Sequence, residues 1–154
     1  MNLEVVILAA GQGTRMKSRL PKVLHTVGGK PLLEHVINTA QALSPKALHV
    51  VAGHGSEQVQ QALSGYDINW VLQSERLGTG HAVMQALPFV ADDSVVLVLY
   101  GDVPLTRSAT LEALVAQAGT GPALLTATLQ NPAGYGRILR DADGEMTGVV
   151  EDKD

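Results

Sequence analysis

The chain has 154 residues, 45% hydrophobic and 17% charged, with a formal net charge of −4, a composition that excludes disorder and suits one domain with a real core. A pI near 5.7 argues against tight nonspecific binding to nucleic acid, which needs a broad basic surface, but not against a small anion held by a few local cations. Cysteine is absent, which excludes disulfides, thiolate metal sites and a cysteine nucleophile and suits a reducing compartment.

The pattern of elements alternates along the chain. LEVVILAA (3–10) is a continuous apolar run ending in glycine, as expected of a strand buried on both faces. Its length is too short for a leader peptide, and Glu4 interrupts it. PLLEHVINTAQAL (31–43) puts Leu32, Leu33, Val36, Ile37, Ala40 and Leu43 on one stripe with proline at its start, an amphipathic helix. ALHVVAG (47–53) reads as a second buried strand, and SEQVQQAL (56–63) as a short helix capped by Ser56. INWVLQ (68–73) is strand-like, and GTGHAVMQAL (78–87) is helical up to Pro88.

SVVLVLY (94–100) is the strongest strand, yet too short for a bilayer that needs about 20 residues. SATLEALVAQA (108–118) is a helix stopped by Gly119 and Gly121, and PALLTATL (122–129) reads as another strand. GRILRDADGEMTGVVE (136–151) predicts two short strands around Asp143-Gly144, a hairpin signal. No membrane segment, repeat or linker stands out, and a cytoplasmic protein is the expectation. Strands and helices alternating at these spacings predict an α/β domain with a mainly parallel sheet. Ligands bind such sheets beyond the carboxyl ends of the strands, here 10–22, 53–55, 73–80 and 101–105.

The first of these segments, LAAGQGTRMKSRLPK (8–22), invites two familiar explanations and fits neither. A dinucleotide fingerprint G-x-G-x-x-G finds Gly11 and Gly13 but Met16 in third place. A Walker A loop also lands on Met16, and the later GGKP (28–31) ends in proline, with no hydroxyl for a metal ion. The physics still favours phosphate. Glycines let the backbone approach a ligand and aim amide N–H groups at an anion. Arg15 can make a forked contact to phosphate oxygens, and Lys22 adds a compact charge. A glycine turn followed by a solvated basic loop has the same spacing.

Taken together with LPKVLH (20–25), VLQSERLGTGHAV (71–83), LYGDVPL (99–105), PAGYGRI (132–138) and TGVVEDKD (147–154), the LAAGQGTRM signature resembles the sugar-nucleotide pyrophosphorylases. More narrowly, essentially the whole chain is similar to the uridyltransferase domain of the bacterial bifunctional N-acetylglucosamine-1-phosphate uridyltransferase/glucosamine-1-phosphate acetyltransferases. The resemblance implies a Rossmann-like three-layer nucleotidyltransferase fold. It also implies Mg²⁺-dependent transfer of UMP from UTP to N-acetylglucosamine-1-phosphate, giving UDP-N-acetylglucosamine and pyrophosphate for peptidoglycan and lipopolysaccharide synthesis. The expected partners are those two small molecules, with neither nucleic acid nor membrane. Direct attack of a sugar phosphate on UTP requires no covalent enzyme intermediate, so cations, glycines and a placed carboxylate suffice.

By that resemblance Leu8, Ala9, Ala10, Gly11 and Gly13 line the nucleotide pocket, and Arg15 and Lys22 are the catalytic cations. Gln73, Gly78 and Thr79 contact uracil: an amide carries a donor and an acceptor, and uracil presents N3–H beside carbonyl oxygens where cytosine lacks the N3–H. Without the resemblance, Gln73 reads as an ordinary polar strand end. Tyr100 and Gly101 lie beside the nucleotide and Asp102 is the Mg²⁺ ligand, although by spacing alone Asp102 serves equally well as a turn or cap residue. Gly136 and Glu151 sit near the N-acetylglucosamine moiety. Lys17, Arg19, Asp92 and Asp93 read as solvated, and the histidines (His25, His35, His49, His54, His81) have no catalytic role. In the family this domain continues past residue 154 and is followed by a left-handed β-helix with the acetyltransferase site and homotrimer contacts. The expectation is therefore that residues 1–154 are the N-terminal part of a uridyltransferase domain, monomeric when isolated.

Overall fold

The computed structural model describes residues 2–53, 55–75, 77–119 and 121–151. The chain divides into two compact units, Met1–Ala123 and Leu124–Asp154.

In the first unit β1 (Asn2–Leu8) leads into short 3-10 turns at Thr14–Met16 and Lys22–Leu24. The strands β2 (Thr26–Val27) and β3 (Lys30–Pro31) then form a small antiparallel hairpin. Its two-residue turn puts Gly28 at φ 58° and Gly29 at φ 82°, the left-handed pair that matches strand twist and that glycine adopts without steric cost. After α1 (Leu32–Gln41) come β4 (Ala47–Ala52), α2 (Ser56–Ala62), β5 (Asn69–Leu72), α3 (Thr79–Ala86), β6 (Ser94–Tyr100) and α4 (Ser108–Ala118).

The sheet order is β5-β4-β1-β6, with every pairing parallel. Successive β1 side chains explain why its sequence is continuously apolar. Val5 and Ile7 point into one core with Leu33, Val36, Ile37 and Ala40 of α1, Val59 of α2 and Leu111 of α4. Val6 points the other way, into a smaller core with Val51, Val71, Ala82 and Ala86. Helices therefore cover both faces, the three-layer arrangement that a parallel sheet requires. Burying Leu33 or Ile37 completely contributes about 1.5–3 kcal/mol each.

One polar cluster interrupts the core. Glu4 of β1 is buried, and its carboxylate accepts hydrogen bonds from His49 Nε2 of β4 (2.9 Å), Ser94 Oγ of β6 (2.7 Å) and the Ala91 N–H (3.1 Å). The His49 and Ser94 hydrogen bonds, in that order, hold its carboxyl below the ordinary carboxylate range against the opposing effect of burial. The strands β4, β1 and β6 are thus tied together towards their amino-terminal ends, away from the carboxyl ends. In the sequence alone Glu4 is only a break in an apolar run.

Two expectations are corrected here. Ser56 does not cap α2: Gly55 takes the cap position at φ 77°, no side-chain cap forms, and Ser56 becomes the first helical residue. A left-handed residue before the helix already turns the chain into it. The run 122–129 is not a strand. It has no ladder partner among the described residues, and Leu124, Leu125 and Leu129 are exposed, because β propensity forms a strand only where a partner edge exists.

The second unit is a hairpin of β7 (Arg137–Arg140) and β8 (Met146–Val150), with a register irregularity between Leu139 and Arg140. Asp141 Oδ1 accepts the N–H groups of Asp143 (3.0 Å) and Glu145 (2.9 Å), and Gly144 adopts φ 85°, so the Asp-Gly signal forms the expected turn. Among the described residues no helix is long and apolar enough to cross a membrane.

Candidate functional site

The chain reaches β4 and β5 on one side of β1 and β6 on the other, so the connections diverge at the carboxyl end of β1. Such switch points open a crevice in parallel sheets. Here it is a cleft of about 680 Å³. Its floor is Leu8, Ala9, Ala10 and Gly11, leaving β1. One wall is the loop bearing Gly13, Arg15 and Lys22; the other carries Gln73 after β5, Gly78 and Thr79 at the start of α3, Tyr100 at the end of β6 and Asp102 just after it. Met16, Val23 and Ala82 complete the lining with apolar surface. Nothing polar marks those three in the sequence; only the helical spacing from Thr79 to Ala82 hints at the last.

Gly101 does not line the cleft. It lies buried behind the floor, its N–H donating to the Leu8 carbonyl (2.9 Å). A Cβ there would come within 3.2 Å of Leu8 O and Leu33 Cδ1, so the glycine allows β6 to close against β1. Gly13 also has a structural requirement: φ is 61°, and an added Cβ would stand 2.7 Å from Lys22 Cβ. An added Cβ at Gly11 meets nothing within 4 Å. Gly11 therefore leaves open space, whereas Gly13 lets the loop fold over the stem of Lys22.

Lys22 Nζ makes an ion pair with Asp102 Oδ2, joining the loop after β1 to the end of β6. The two side chains are 32% and 30% exposed, so water screens the attraction and incoming phosphate oxygens can compete for the ammonium. Arg15 is exposed at the cleft margin, and Lys17 and Arg19 are exposed outside its lining. Gln73 is only 5% exposed. Its Nε2 lies 3.0 Å from His81 Nδ1 and 3.4 Å from the Gly78 carbonyl, and His81 Nε2 lies 3.2 Å from Gln85 Nε2. His81 therefore has a role that its sequence neighbourhood did not suggest.

The remaining histidines lie elsewhere: His49 pairs with Glu4, and His35 Nε2 bonds the Val27 carbonyl (2.7 Å). His54 and the Arg76 and 152–154 portions of the family motifs are outside the described residues. Gly136 and Glu151 flank the hairpin of the second unit, where a Cβ at Gly136 would lie 3.5 Å from Glu151 Oε2.

Asp102 also suits a divalent cation. Mg²⁺ at nucleotide sites is held by one or two carboxylates plus substrate phosphates, and Asp102 lines the cleft with one oxygen outside the Lys22 pair. Among the described residues no group of three or more His, Cys, Asp or Glu gathers to hold a metal ion.

A cleft at a switch point, with two cations and a carboxylate in its lining, suits a nucleotidyltransferase. The family model of the MobA-like NTP transferase domain matches residues 5–145, and the chain belongs to that family. The bifunctional protein GlmU of Alkalilimnicola ehrlichii is 59% identical over 152 residues, 99% of this chain and 33% of the relative. That of Stutzerimonas stutzeri is 59% identical over 155 residues, 100% of this chain and 34% of the relative. The chain is thus similar to the N-terminal part of GlmU and spans about a third of the length of these curated relatives. The fold is shared with a nucleotidyl transferase from Methanothermobacter thermautotroptrophicus, at TM-score 0.69 and 24% identity over 75% of this chain and 57% of that one. It is shared too with 4-diphosphocytidyl-2C-methyl-D-erythritol synthase from Anaerococcus prevotii, at TM-score 0.67 and 19% identity over 99% of this chain and 65% of that one.

Proposed function

We propose that the cleft binds UTP and that its residues serve transfer of UMP to N-acetylglucosamine-1-phosphate, yielding UDP-N-acetylglucosamine and pyrophosphate. The observation that carries this reading is the Lys22–Asp102 pair in a cleft whose lining also presents Gln73. A phosphate oxygen of the sugar phosphate attacks the α-phosphorus of UTP. The bond from that phosphorus to the β-phosphate oxygen breaks, and pyrophosphate departs with the electron pair. The protein's task is to hold two anions in line and to neutralise charge. Arg15 and Lys22 do so with the triphosphate, and Gly11 leaves room for its approach. Asp102, exchanging Lys22 for Mg²⁺, would share the ion with phosphate oxygens, and the ion would add charge neutralisation at the reacting phosphorus. Gln73, Gly78 and Thr79 read the base.

Calorimetric titration of the chain with UTP, dTTP, CTP and GTP, with and without Mg²⁺, tests the base and the ion. Pyrophosphate release with N-acetylglucosamine-1-phosphate against glucose-1-phosphate tests the acceptor. The expected result is tightest binding of UTP and turnover with the acetylated sugar. Preference for dTTP with glucose-1-phosphate would overturn the assignment.

A further inference from the structure

The geometry around Gln73 points to a positioning role for His81: we infer that His81 fixes the Gln73 amide with its oxygen towards the cleft, making that position a hydrogen-bond acceptor for a base bearing a ring N–H. This deepens the proposed function and rests on its placement of the base at Gln73.

The Gly78 carbonyl can only accept a hydrogen bond, so the Gln73 atom 3.4 Å from it is the amide nitrogen. Turning the amide over would set oxygen against oxygen. That same nitrogen lies 3.0 Å from His81 Nδ1, so its second hydrogen points to the ring, and Nδ1 must be the unprotonated nitrogen. The ring proton then sits on Nε2, which faces Gln85 Nε2 at 3.2 Å; two donors cannot pair, so the Gln85 amide, whose oxygen and nitrogen are near-isosteric, must be turned to present its oxygen to that N–H. His81 and Gln85 are one turn apart on α3, so the helix holds donor and acceptor in register.

Both Gln73 hydrogens are thereby used within the protein. Its Oε1 makes no hydrogen bond among the described residues, and it is not one of the sealed polar atoms that lack one. It therefore offers the cleft an acceptor and no donor. Uracil, with N3–H, matches that acceptor; cytosine brings a bare N3 lone pair to the same ring position, and two acceptors face each other. A freely rotating glutamine would satisfy either base. Selectivity thus depends on the histidine as well as on the amide.

The test uses the 154-residue chain with UTP and CTP as probes, measuring both dissociation constants by calorimetry for wild type, His81→Leu and His81→Asn. Leucine removes the acceptor; asparagine can return an oxygen near the place of Nδ1. His81→Leu is expected to lower the UTP-over-CTP ratio about three- to tenfold, the scale of one uncharged hydrogen bond, and His81→Asn to restore most of it. A merely structural role would weaken both nucleotides alike and leave the ratio unchanged, overturning the inference. A ¹⁵N spectrum of the wild-type histidines, independent of nucleotide and of any variant's folding, should show His81 protonated at Nε2 and bare at Nδ1. A protonated neutral Nδ1 would overturn the inference outright. Wild type showing no preference for UTP would instead sink the base assignment, while the nitrogen spectrum would still decide the Gln73–His81 geometry.

Discussion

Replacing Glu4 with leucine should cost the fold heavily and the cleft nothing. The substitution leaves the His49 Nε2 donor without its carboxylate on a residue that is 1% exposed. An enclosed, stranded donor costs about 1–3 kcal/mol. Ser94 and Ala91 also lose their acceptor, but both are only partly buried and can turn to water, so together they add about 1 kcal/mol. The sum, about 2–4 kcal/mol, corresponds to a fall in Tm of about 4–16 °C for a chain of this size. Urea unfolding followed by circular dichroism measures it. Adding His49→Leu should recover much of the loss, because apolar replacement of a whole buried pair is often close to neutral. The acid limb supplies a second measurement. A folded-state carboxyl held below its ordinary value contributes stability that is fully present above the ordinary carboxylate range. That contribution is lost as pH falls below about 4.3 towards the depressed value, so Glu4→Leu should flatten the acid dependence as well as lower the plateau. Glu4 lies four residues before Leu8, about 13 Å along the strand, so UTP affinity should not change. A loss below about 1 kcal/mol, or an acid limb identical to wild type, would refute the account of this cluster.

Other perturbations report on the cleft. Arg15→Ala and Lys22→Ala should each lower pyrophosphate release by about 10²–10³, as expected for loss of one preorganised contact to developing charge; a change under about tenfold would remove that residue from the catalytic assignment. Asp102→Asn frees Lys22 from its partner, so calorimetry without Mg²⁺ should find UTP affinity equal or higher, while the increase that Mg²⁺ brings to wild type disappears. Weaker metal-free binding would contradict a competing ion pair. Gly13→Ala meets both a positive φ and a Cβ contact of 2.7 Å with Lys22, and should lower stability by about 1–3 kcal/mol and weaken UTP binding. An unaltered melting curve would mean that the loop relaxes without cost.

What the sequence discloses depends on how many residues an interaction spans and on which edges remain available. Glycines, Arg15 and Lys22 lie within one strand-to-loop segment, and a run such as SVVLVLY followed by Gly-Asp marks its own strand end. Adjacent Gly28-Gly29 likewise signals the β2–β3 hairpin. Glu4 and His49 are 45 residues apart, and their pairing follows only once β1 and β4 are placed side by side in a known register. The failed strand at 122–129 illustrates the converse: its composition is right, but a ladder partner cannot be read from its own residues.

Gln73 and His81 fall between these limits. Eight residues separate them, a strand end and the first turn of the next helix, so a parallel α/β reading already brings them near one another. What composition could not reveal is polarity. Glutamine is both donor and acceptor on paper, and it becomes an acceptor towards the cleft only because Gly78 and His81 take its two hydrogens. Specificity for a base need not reside wholly in the residue that touches it; part resides in the neighbours that decide which of that residue's atoms faces the ligand.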